Sequence, residues 1–238
     1  MRYILLVAGR GTRLHPLTLN HPKSLYKLDQ RTSVLQRMVS LIRKFDSNSE
    51  IVVVTGFMSD VVKKDLENVT FVHNPFYSIT NSIASLWFAR DFLCDDNITI
   101  INGDIVMEAD LVREILCKAV EKPVVLLDSS IKIDGDYNVQ VSEGKVLVMS
   151  KDLDNYFGEY AGVTKLDKIS ALELKKEIEL MVNSDMFDQW YENALVQMIF
   201  QRNFELFYED ISEYSWTEVD GVSDFLLAKK IHSTKFHE

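Results

Sequence analysis

A basic loop that contains two glycines distinguishes the first 28 residues of the chain. Gly9 and Gly11 follow a short apolar run, and Arg13 and Lys23 come after them. These 28 residues contain no Asp or Glu and carry a charge of +5, so the other 210 residues carry −15 within a net charge of −10. Glycines let backbone N–H groups approach phosphate oxygens, and basic side chains neutralise phosphate charge. The loop therefore predicts a site for a phosphate-rich anion.

The composition is typical of an ordinary globular protein. The chain has 238 residues, of which 47% are hydrophobic and 26% charged, and a net charge of −10 argues against a general nucleic-acid binder. No apolar run approaches the ~20 residues of a membrane-spanning helix, and the first residues carry no cleavage-site pattern. Cys94 and Cys117 are isolated, which suits a reducing compartment. We therefore expect a cytoplasmic protein without membrane or nucleic-acid partners.

Apolar runs alternate with helical patterns through the first half of the chain, and a different order follows. Buried strands are predicted at 3–7, 51–54, 69–72, 98–101 and 123–127. This alternation predicts an α/β fold with a doubly wound, mostly parallel sheet. The second half predicts, in order, a hairpin at 137–149, a strand at 158–166, helices at 168–182 and 186–202, strands at 204–208 and 216–220, and a helix at 222–231.

The glycine loop differs from the two common phosphate-binding motifs. No Gly-Lys-Ser/Thr follows at P-loop spacing, and Leu14 stands where a dinucleotide-binding fingerprint has its third glycine. Residues 6–18 read L-V-A-G-R-G-T-R-L-H-P-L-T, and residues 22–25 read P-K-S-L. This order resembles the signature of sugar-nucleotide pyrophosphorylases and related nucleotidyltransferases, L-x-A-G-x-G-x-R-L-x-P-L-T followed by P-K-x-L. The resemblance implies a Rossmann-like, GT-A-like fold and nucleotidyl transfer with release of pyrophosphate.

The resemblance implies a catalytic role for three cationic residues. Arg13 and Lys23 would bind the triphosphate and stabilise the transition state, and Lys151 would hold the attacking phosphate of the acceptor. The neighbours Asp152 and Asp154 leave open a second interpretation, in which Lys151 only forms a surface ion pair.

The resemblance also implies a metal site built from residues that are far apart in the sequence. Asp104 and Asp220 would hold Mg²⁺, and Glu218 would assist directly or through water. A single nucleotidyltransferase domain follows, with a nucleotide-binding half at 1–127, a small acceptor-binding insertion of hairpin and helices at 128–215, and the metal-binding strand end and closing helix at 216–238.

Residues of the loop and of two later segments are expected to bind the nucleotide. Residues 77–86 resemble the nucleobase loop of small cytidylyltransferases, which act on phosphocholine, 2-aminoethylphosphonate or phosphoglutamine. Asn81 and Ser82 would supply a donor and an acceptor to a pyrimidine edge, or Asn81 would only cap a helix. The predicted nucleotide-binding residues are Val7, Ala8, Gly9, Gly11, Thr12, Asn81, Ser82 and Asn102.

Two kinds of side chain are available to recognise the cationic part of an acceptor. An aromatic cage of Trp190, Tyr191 and Trp216 would suit a trimethylammonium group, whereas Glu159 and Glu192 would suit a primary amine. The sequence leaves this choice open. The predicted acceptor-binding residues, two of them in a stretch that resembles the same cytidylyltransferases, are Glu159, Tyr160, Trp190 and Trp216.

These expectations combine into one reaction. The chain is expected to use Mg²⁺ and to transfer CMP from CTP to a small phosphorylated amine or amino acid, for cell-surface polysaccharide or capsule modification. Phosphoglutamine is the first choice of acceptor, and phosphocholine or 2-aminoethylphosphonate comes next. A sugar 1-phosphate uridylyl- or thymidylyltransferase and a non-catalytic nucleotide-sensing subunit are the alternatives. Whether copies of the chain form a homo-oligomer stays open.

Overall fold

A computed structural model describes residues 1–11, 13, 17–131 and 137–234 of the chain. Within these residues, nine strands form one sheet and two short strands form a separate ribbon. The strands are β1 (Arg2–Val7), β2 (Glu50–Thr55), β3 (Thr70–His73), β4 (Ile98–Asn102), β5 (Ile105–Met107), β6 (Val124–Asp128), β7 (Asn138–Ser142), β8 (Lys145–Ser150), β9 (Gly158–Leu166), β10 (Phe207–Asp210) and β11 (Trp216–Glu218).

Helices connect most of these strands. They are α1 (Val34–Phe45), α2 (Ser59–Asp65), α3 (Ser82–Phe88), α4 (Ala109–Leu111), α5 (Lys168–Asn183), α6 (Glu192–Arg202) and α7 (Val222–Ser233). A π-helix (Val112–Leu116) continues α4. Ser33 begins α1 as a reciprocal cap, since its hydroxyl accepts a hydrogen bond from the Gln36 amide while the Gln36 side chain accepts one from Ser33. No helix among the described residues is long and apolar enough to cross a membrane.

The sheet combines a parallel half with a mixed half. Its order is β3-β2-β1-β4-β9-β6-β10-β8-β7, and the first four of these strands are parallel. Strand β9 lies antiparallel between β4 and β6, and the hairpin of β7 and β8 adds further antiparallel pairs. The predicted α/β, Rossmann-like class is confirmed, and the parallel pairing belongs mainly to the first half of the chain.

Side chains of the central strands alternate between two apolar layers. Ile4 packs with residues of α3, α5 and α6 on one face of the sheet. Tyr3 and Leu5 pack with residues of α1 and of the π-helix on the other face. All three side chains are fully buried, as expected of a strand that is covered on both faces. Helices on both faces make the sheet doubly wound and leave the carboxyl ends of its parallel strands to form a site.

The helix predicted at 186–202 begins later, at Glu192. The carbonyl groups of Phe187 and Gln189 accept hydrogen bonds from the backbone amides of Asn81 and Ile83 at the start of α3. These carbonyl groups therefore accept hydrogen bonds from amides at the start of α3 that have no partner within that helix. Because residues 187–189 are used in this way, the chain turns before α6 begins. This contact holds the start of α6 against the start of α3.

The sequence predicted a strand at 216–220, which contains β11, but it predicted neither β5 nor the ribbon that the two strands form. Strand β5 directly follows the turn after β4 and pairs antiparallel with β11, with Glu218 opposite Ile105. The ribbon carries residues near the end of the chain to the carboxyl end of β4. It therefore positions the late acidic residues beside Asp104.

Candidate active site

A cavity of about 310 Å³ lies where the first half of the sheet meets the ribbon and the start of α6. Its wall contains residues from the glycine loop, the end of β4, the start of α3, the second half of the chain and the last ribbon strand. The lining residues are Leu6, Val7, Ala8, Gly9, Gly11, Arg13, Lys23, Ser24, Tyr77, Thr80, Asn81, Ser82, Ser85, Asn102, Gly103, Asp104, Tyr137, Tyr160, Trp190, Glu192, Glu218 and Asp220.

The glycine loop leaves β1 at Val7 and bends tightly around Lys23. Gly11 has a φ of +61°, and a Cβ atom there would lie 3.3 Å from the Lys23 side chain. Thr18 donates a hydrogen bond from Oγ1 to the Gly11 carbonyl at 2.6 Å. A residue with a side chain at position 11 would be strained and would crowd the lysine. Thr12, which was predicted to bind the nucleotide, lies outside the described residues.

Asp104 reaches the loop because its preceding residue is glycine. The Gly103 amide donates a hydrogen bond to the Leu6 carbonyl at 2.9 Å, and a Cβ atom at Gly103 would lie 2.1 Å from a Val7 methyl carbon. Only glycine allows the chain to pass this close to β1. The turn therefore places the Asp104 carboxylate beside the basic loop.

Three carboxylates converge at the end of the ribbon. One carboxylate oxygen each from Asp104, Glu218 and Asp220 lies within 4.8 Å of the other two. The Val219 amide donates to the Asp104 carbonyl at 3.1 Å, which fixes the two segments against each other. Asp224 accepts a hydrogen bond from the Gly221 amide at 2.7 Å and so holds the turn before α7. The sequence prediction placed these three carboxylates together, and the geometry brings them together.

Two cations offset part of the negative charge of this cluster. The Lys23 ammonium group bridges both aspartates: it is in direct contact with Asp104 and lies 2.7 Å from Asp220 Oδ1. Arg13 donates to Asp220 Oδ2 at 2.6 Å. Burial lowers the pKa of Lys23, but the two carboxylates outweigh burial and raise that pKa above its ordinary value. Lys23 therefore stays charged at neutral pH and contributes a fixed positive charge to the cavity.

The carboxylate cluster fits a hard divalent cation. Asp104 is buried, and its Oδ1 atom has no hydrogen-bond partner among the described residues. A buried carboxylate oxygen without a partner is costly, and a metal ion that binds there would remove the cost. Oxygen ligands alone, as in this cluster, are what Mg²⁺ prefers.

The predicted nucleobase segment lies in the cavity wall and is held by a residue that the sequence did not indicate. Asn74 is fully buried, and its amide nitrogen donates to Thr80 Oγ1 at 3.1 Å and to Ser85 Oγ at 3.0 Å. Thr80, Asn81, Ser82 and Ser85 all line the cavity. The amide oxygen of Asn74 also accepts from the Phe76 backbone at 2.9 Å, so one side chain fixes the whole turn.

Of the two roles that the sequence left open for Asn81, the helix cap is present, and contact with a nucleobase stays a prediction. The Asn81 side chain caps α3 by accepting from the Ser82 amide at 2.8 Å, and Asn81 also lines the cavity. The Ser82 hydroxyl accepts from the Tyr191 amide at 2.9 Å, so it ties α3 to the start of α6. Asn102 and the loop residues Val7, Ala8, Gly9 and Gly11 also line the cavity, as predicted for a nucleotide site.

The acceptor prediction agrees only in part with the geometry. Tyr160 and Trp190 line the cavity, but neither Glu159 nor Trp216 is among the described lining residues. The Trp216 indole instead donates to Asp128 Oδ2 at 2.8 Å, because the ribbon directs this side chain toward the end of β6.

The proposed cage of Trp190, Tyr191 and Trp216 is therefore wrong. Tyr191 is fully buried, and its hydroxyl group hydrogen-bonds to the Tyr160 hydroxyl at 2.6 Å. Tyr137 lines the cavity instead and packs against Trp190, with ring centroids 5.2 Å apart and ring planes inclined by 46°. Helical periodicity alone did not show that Tyr191 is buried, because the start of α6 depends on the contact with α3.

Lys151 lies next to this aromatic pair. Its ammonium nitrogen is 4.0 Å from the centre of the Trp190 ring, a geometry for cation–π attraction. Lys151 therefore contacts a cavity residue, although it is not itself among the described lining residues, and its contact with the acceptor phosphate stays a prediction.

Comparison with known proteins identifies the family. The family described as "Nucleotidyl transferase" matches residues 2–133, which include the glycine loop and Asp104. Two curated relatives match nearly the whole chain. The CTP:phosphoglutamine cytidylyltransferase of Campylobacter jejuni is 24% identical over 94% of this chain and 97% of its own. The choline-phosphate cytidylyltransferase of Streptococcus pneumoniae is 25% identical over 97% of this chain and 98% of its own.

Solved structures share the fold. The CTP:phosphocholine cytidylyltransferase of Streptococcus pneumoniae superposes with a TM-score of 0.79 at 21% identity and covers 98% of this chain and 99% of its own. The inositol-1-phosphate CTP transferase of T. maritima gives a TM-score of 0.77 at 19% identity and covers 98% of this chain and 96% of its own. Since the family match spans more than half of the sequence and includes the basic loop and the first aspartate of the site, the chain belongs to the nucleotidyl transferase family.

Proposed function

We propose that this protein transfers CMP from CTP to the phosphate of a small acceptor that also carries a cationic group. The observation that carries the proposal is the position of Lys23, which bridges Asp104 and Asp220 in a cavity lined by the glycine loop. Cations beside a carboxylate cluster that fits a metal ion suit a reaction between two polyanions. The two curated relatives described above, each matched over nearly its full length, are cytidylyltransferases by name, which supports CTP as the donor.

The reaction needs no protein nucleophile. An oxygen of the acceptor phosphate attacks the α-phosphorus of CTP, the new P–O bond forms, and the bond to the β-phosphate breaks with its electron pair on pyrophosphate. Asp104 and Asp220, with Glu218 beside them, would hold Mg²⁺, which supplies positive charge to the phosphate oxygens. Arg13 and Lys23 bind the triphosphate and stabilise the negative charge that develops on the leaving pyrophosphate.

The remaining cavity residues bind the two ends of the substrates. Backbone groups from Ala8 to Gly11 approach the nucleotide phosphates, and Asn81 and Ser82 offer polar atoms to the pyrimidine edge. Lys151 binds the acceptor phosphate by leaving the Trp190 ring. Phosphoglutamine is the first candidate acceptor, followed by phosphocholine and 2-aminoethylphosphonate.

The test measures pyrophosphate release with Mg²⁺ for CTP, UTP, dTTP, ATP and GTP, each combined with phosphoglutamine, phosphocholine, 2-aminoethylphosphonate and glucose 1-phosphate. We expect release with CTP and at least one amino-phosphate. Release only with UTP or dTTP and glucose 1-phosphate would replace the proposal with a sugar-nucleotide synthesis. Bound nucleotide without release in any combination would point to a non-catalytic nucleotide sensor.

A further inference from the structure

One wall of the cavity contains a buried carboxylate that nucleotidyl transfer itself does not use. Glu192 is the first residue of α6, is 5% exposed and lines the cavity. It is separate from the metal-type cluster of Asp104, Glu218 and Asp220. A buried carboxylate is costly in free energy unless a cation or several donors compensate its charge. Glu192 therefore needs an explanation of its own.

No cation among the described residues compensates the charge of this carboxylate. Among residues 1–11, 13, 17–131 and 137–234, no lysine, arginine or histidine forms an ion pair with Glu192, and burial raises the pKa of its carboxyl group to about 8. Glu177, a buried glutamate in α5, pairs with Arg202 at 2.5 Å. Glu192 differs because no such partner lies beside it among the described residues and it faces the cavity.

Aromatic rings surround the same part of the cavity. Tyr137, Tyr160 and Trp190 line it together with Glu192. The Tyr137 hydroxyl donates to Asn193 Oδ1 at 2.7 Å, so its oxygen lone pairs remain available as acceptors. The ammonium group of Lys151 lies 4.0 Å from the centre of the Trp190 ring, a distance at which an aromatic ring attracts a cation.

We propose that Glu192, with Tyr137 and Trp190, binds the protonated amine of the acceptor and selects an amine that carries N–H groups over a quaternary one. This inference rests on the proposed function. Burial keeps the free Glu192 carboxyl group protonated near neutral pH, and the positive charge of a bound amine favours its ionised form, so binding releases that proton to solvent. A primary ammonium group then donates up to three hydrogen bonds, which the carboxylate and the tyrosine oxygen accept. A trimethylammonium group has no N–H donor and would leave the carboxylate without a hydrogen bond. Phosphoglutamine and 2-aminoethylphosphonate meet this requirement, whereas phosphocholine does not.

The experiment uses three acceptors that differ only at the amine: phosphoethanolamine, phosphocholine and ethyl phosphate. CMP transfer from CTP is measured for the wild type, for Glu192→Gln and for Glu213→Gln, which removes an exposed carboxylate as a control. We expect the wild type to prefer phosphoethanolamine. Glu192→Gln should lower kcat/KM for phosphoethanolamine about 30-fold or more, the scale for truncating a buried charged pair, and should leave ethyl phosphate unchanged. Glu213→Gln should change neither.

Calorimetry of phosphoethanolamine binding, with Mg²⁺ and a non-hydrolysable CTP analogue present, separates this inference from the proposed function. Weaker binding to Glu192→Gln than to the wild type supports the inference, even where turnover is low. Equal binding by the two proteins, or a preference for phosphocholine, would overturn the inference and leave cytidylyl transfer intact. Binding of phosphoethanolamine that depends on Glu192, without CMP transfer to any acceptor, would contradict the proposed function instead.

Discussion

Replacing Lys23 with methionine should change metal binding and turnover in opposite directions. The Lys23 ammonium group bridges Asp104 and Asp220, and the lysine side chain is only 19% exposed. It therefore lies between the carboxylates that a metal ion must bind. Methionine keeps most of the aliphatic length of lysine but removes its charge, so the carboxylates lose a competitor for the metal.

The magnitude follows from the electrostatic repulsion between the Lys23 ammonium group and a metal ion bound to the same carboxylates. Two unit charges 4 Å apart interact by about 4 kcal/mol at an effective dielectric constant of 20. Arg13 keeps its contact with Asp220, and solvent replaces part of the lost interaction, so we expect a gain of about 1.4 to 2.8 kcal/mol in metal binding. This corresponds to roughly tenfold to hundredfold tighter binding. Turnover should fall at least ~10²-fold, because the transition state loses a buried positive charge.

The assay titrates Mn²⁺, which prefers oxygen ligands as Mg²⁺ does, into nucleotide-free protein and follows free Mn²⁺ by electron paramagnetic resonance. Lys27→Met is the matched control, since Lys27 pairs with Asp65 at 3.4 Å outside the cavity wall. It should leave Mn²⁺ affinity and turnover near the wild-type values. Unchanged or weaker Mn²⁺ binding by Lys23→Met would refute the competition between the lysine and the metal.

Three further predictions concern other residues of the site. Asp220→Ala should lower turnover at least ~10²-fold, because it removes a carboxylate from the metal cluster, and wild-type turnover in steady-state assays would exclude Asp220 from the mechanism. Asn74→Ala should raise the KM for CTP more than it lowers kcat, because the cavity-lining turn loses the hydrogen bonds from Asn74 to Thr80 and Ser85. A lower kcat with an unchanged KM would contradict this positioning role. Glu192 should make the protein less stable as pH rises from about 4.5 to about 8, because the folded state keeps a proton that the unfolded state has lost. The slope is up to ~1.4 kcal/mol per pH unit, and urea unfolding of Glu192→Gln should lack this component; identical pH profiles for the two proteins would contradict it.

The sequence predicted best the parts of the site that are continuous in the chain. Gly9, Gly11, Arg13 and Lys23 lie in one segment, so their order alone predicted a shared phosphate site. Asp104 follows a strand that pairs in parallel with β1, and the carboxyl ends of such neighbours meet at one edge. These positions follow from local sequence and from the usual pairing of α/β sheets.

Contacts between distant segments were harder to predict. Strand β5 has three residues, too few for a periodic pattern, so its pairing with the predicted strand β11 was missed. That pairing positions Asp220 and turns Trp216 away from the cavity. The start of α6 depends on hydrogen bonds from α3, so periodicity did not reveal that Tyr191 would be buried. The sequence offered Glu159 and Glu192 equally as carboxylates for an amine, and of these Glu192 lines the cavity. Asn74 precedes its partners by several residues in a polar loop and has no distinguishing sequence pattern.

The most direct test of cytidylyl transfer follows the oxygen atoms of the acceptor. Phosphoglutamine, phosphocholine, 2-aminoethylphosphonate and phosphoethanolamine, each with ¹⁸O in its phosphate or phosphonate group, are incubated separately with CTP, Mg²⁺ and the protein, and the products are analysed by mass spectrometry. Attack of the acceptor phosphate on the α-phosphorus predicts a CMP–acceptor product that keeps all of the ¹⁸O, together with unlabelled pyrophosphate. Unlabelled CMP–acceptor product, labelled pyrophosphate, or no CMP–acceptor product with any amino-phosphate would contradict the account.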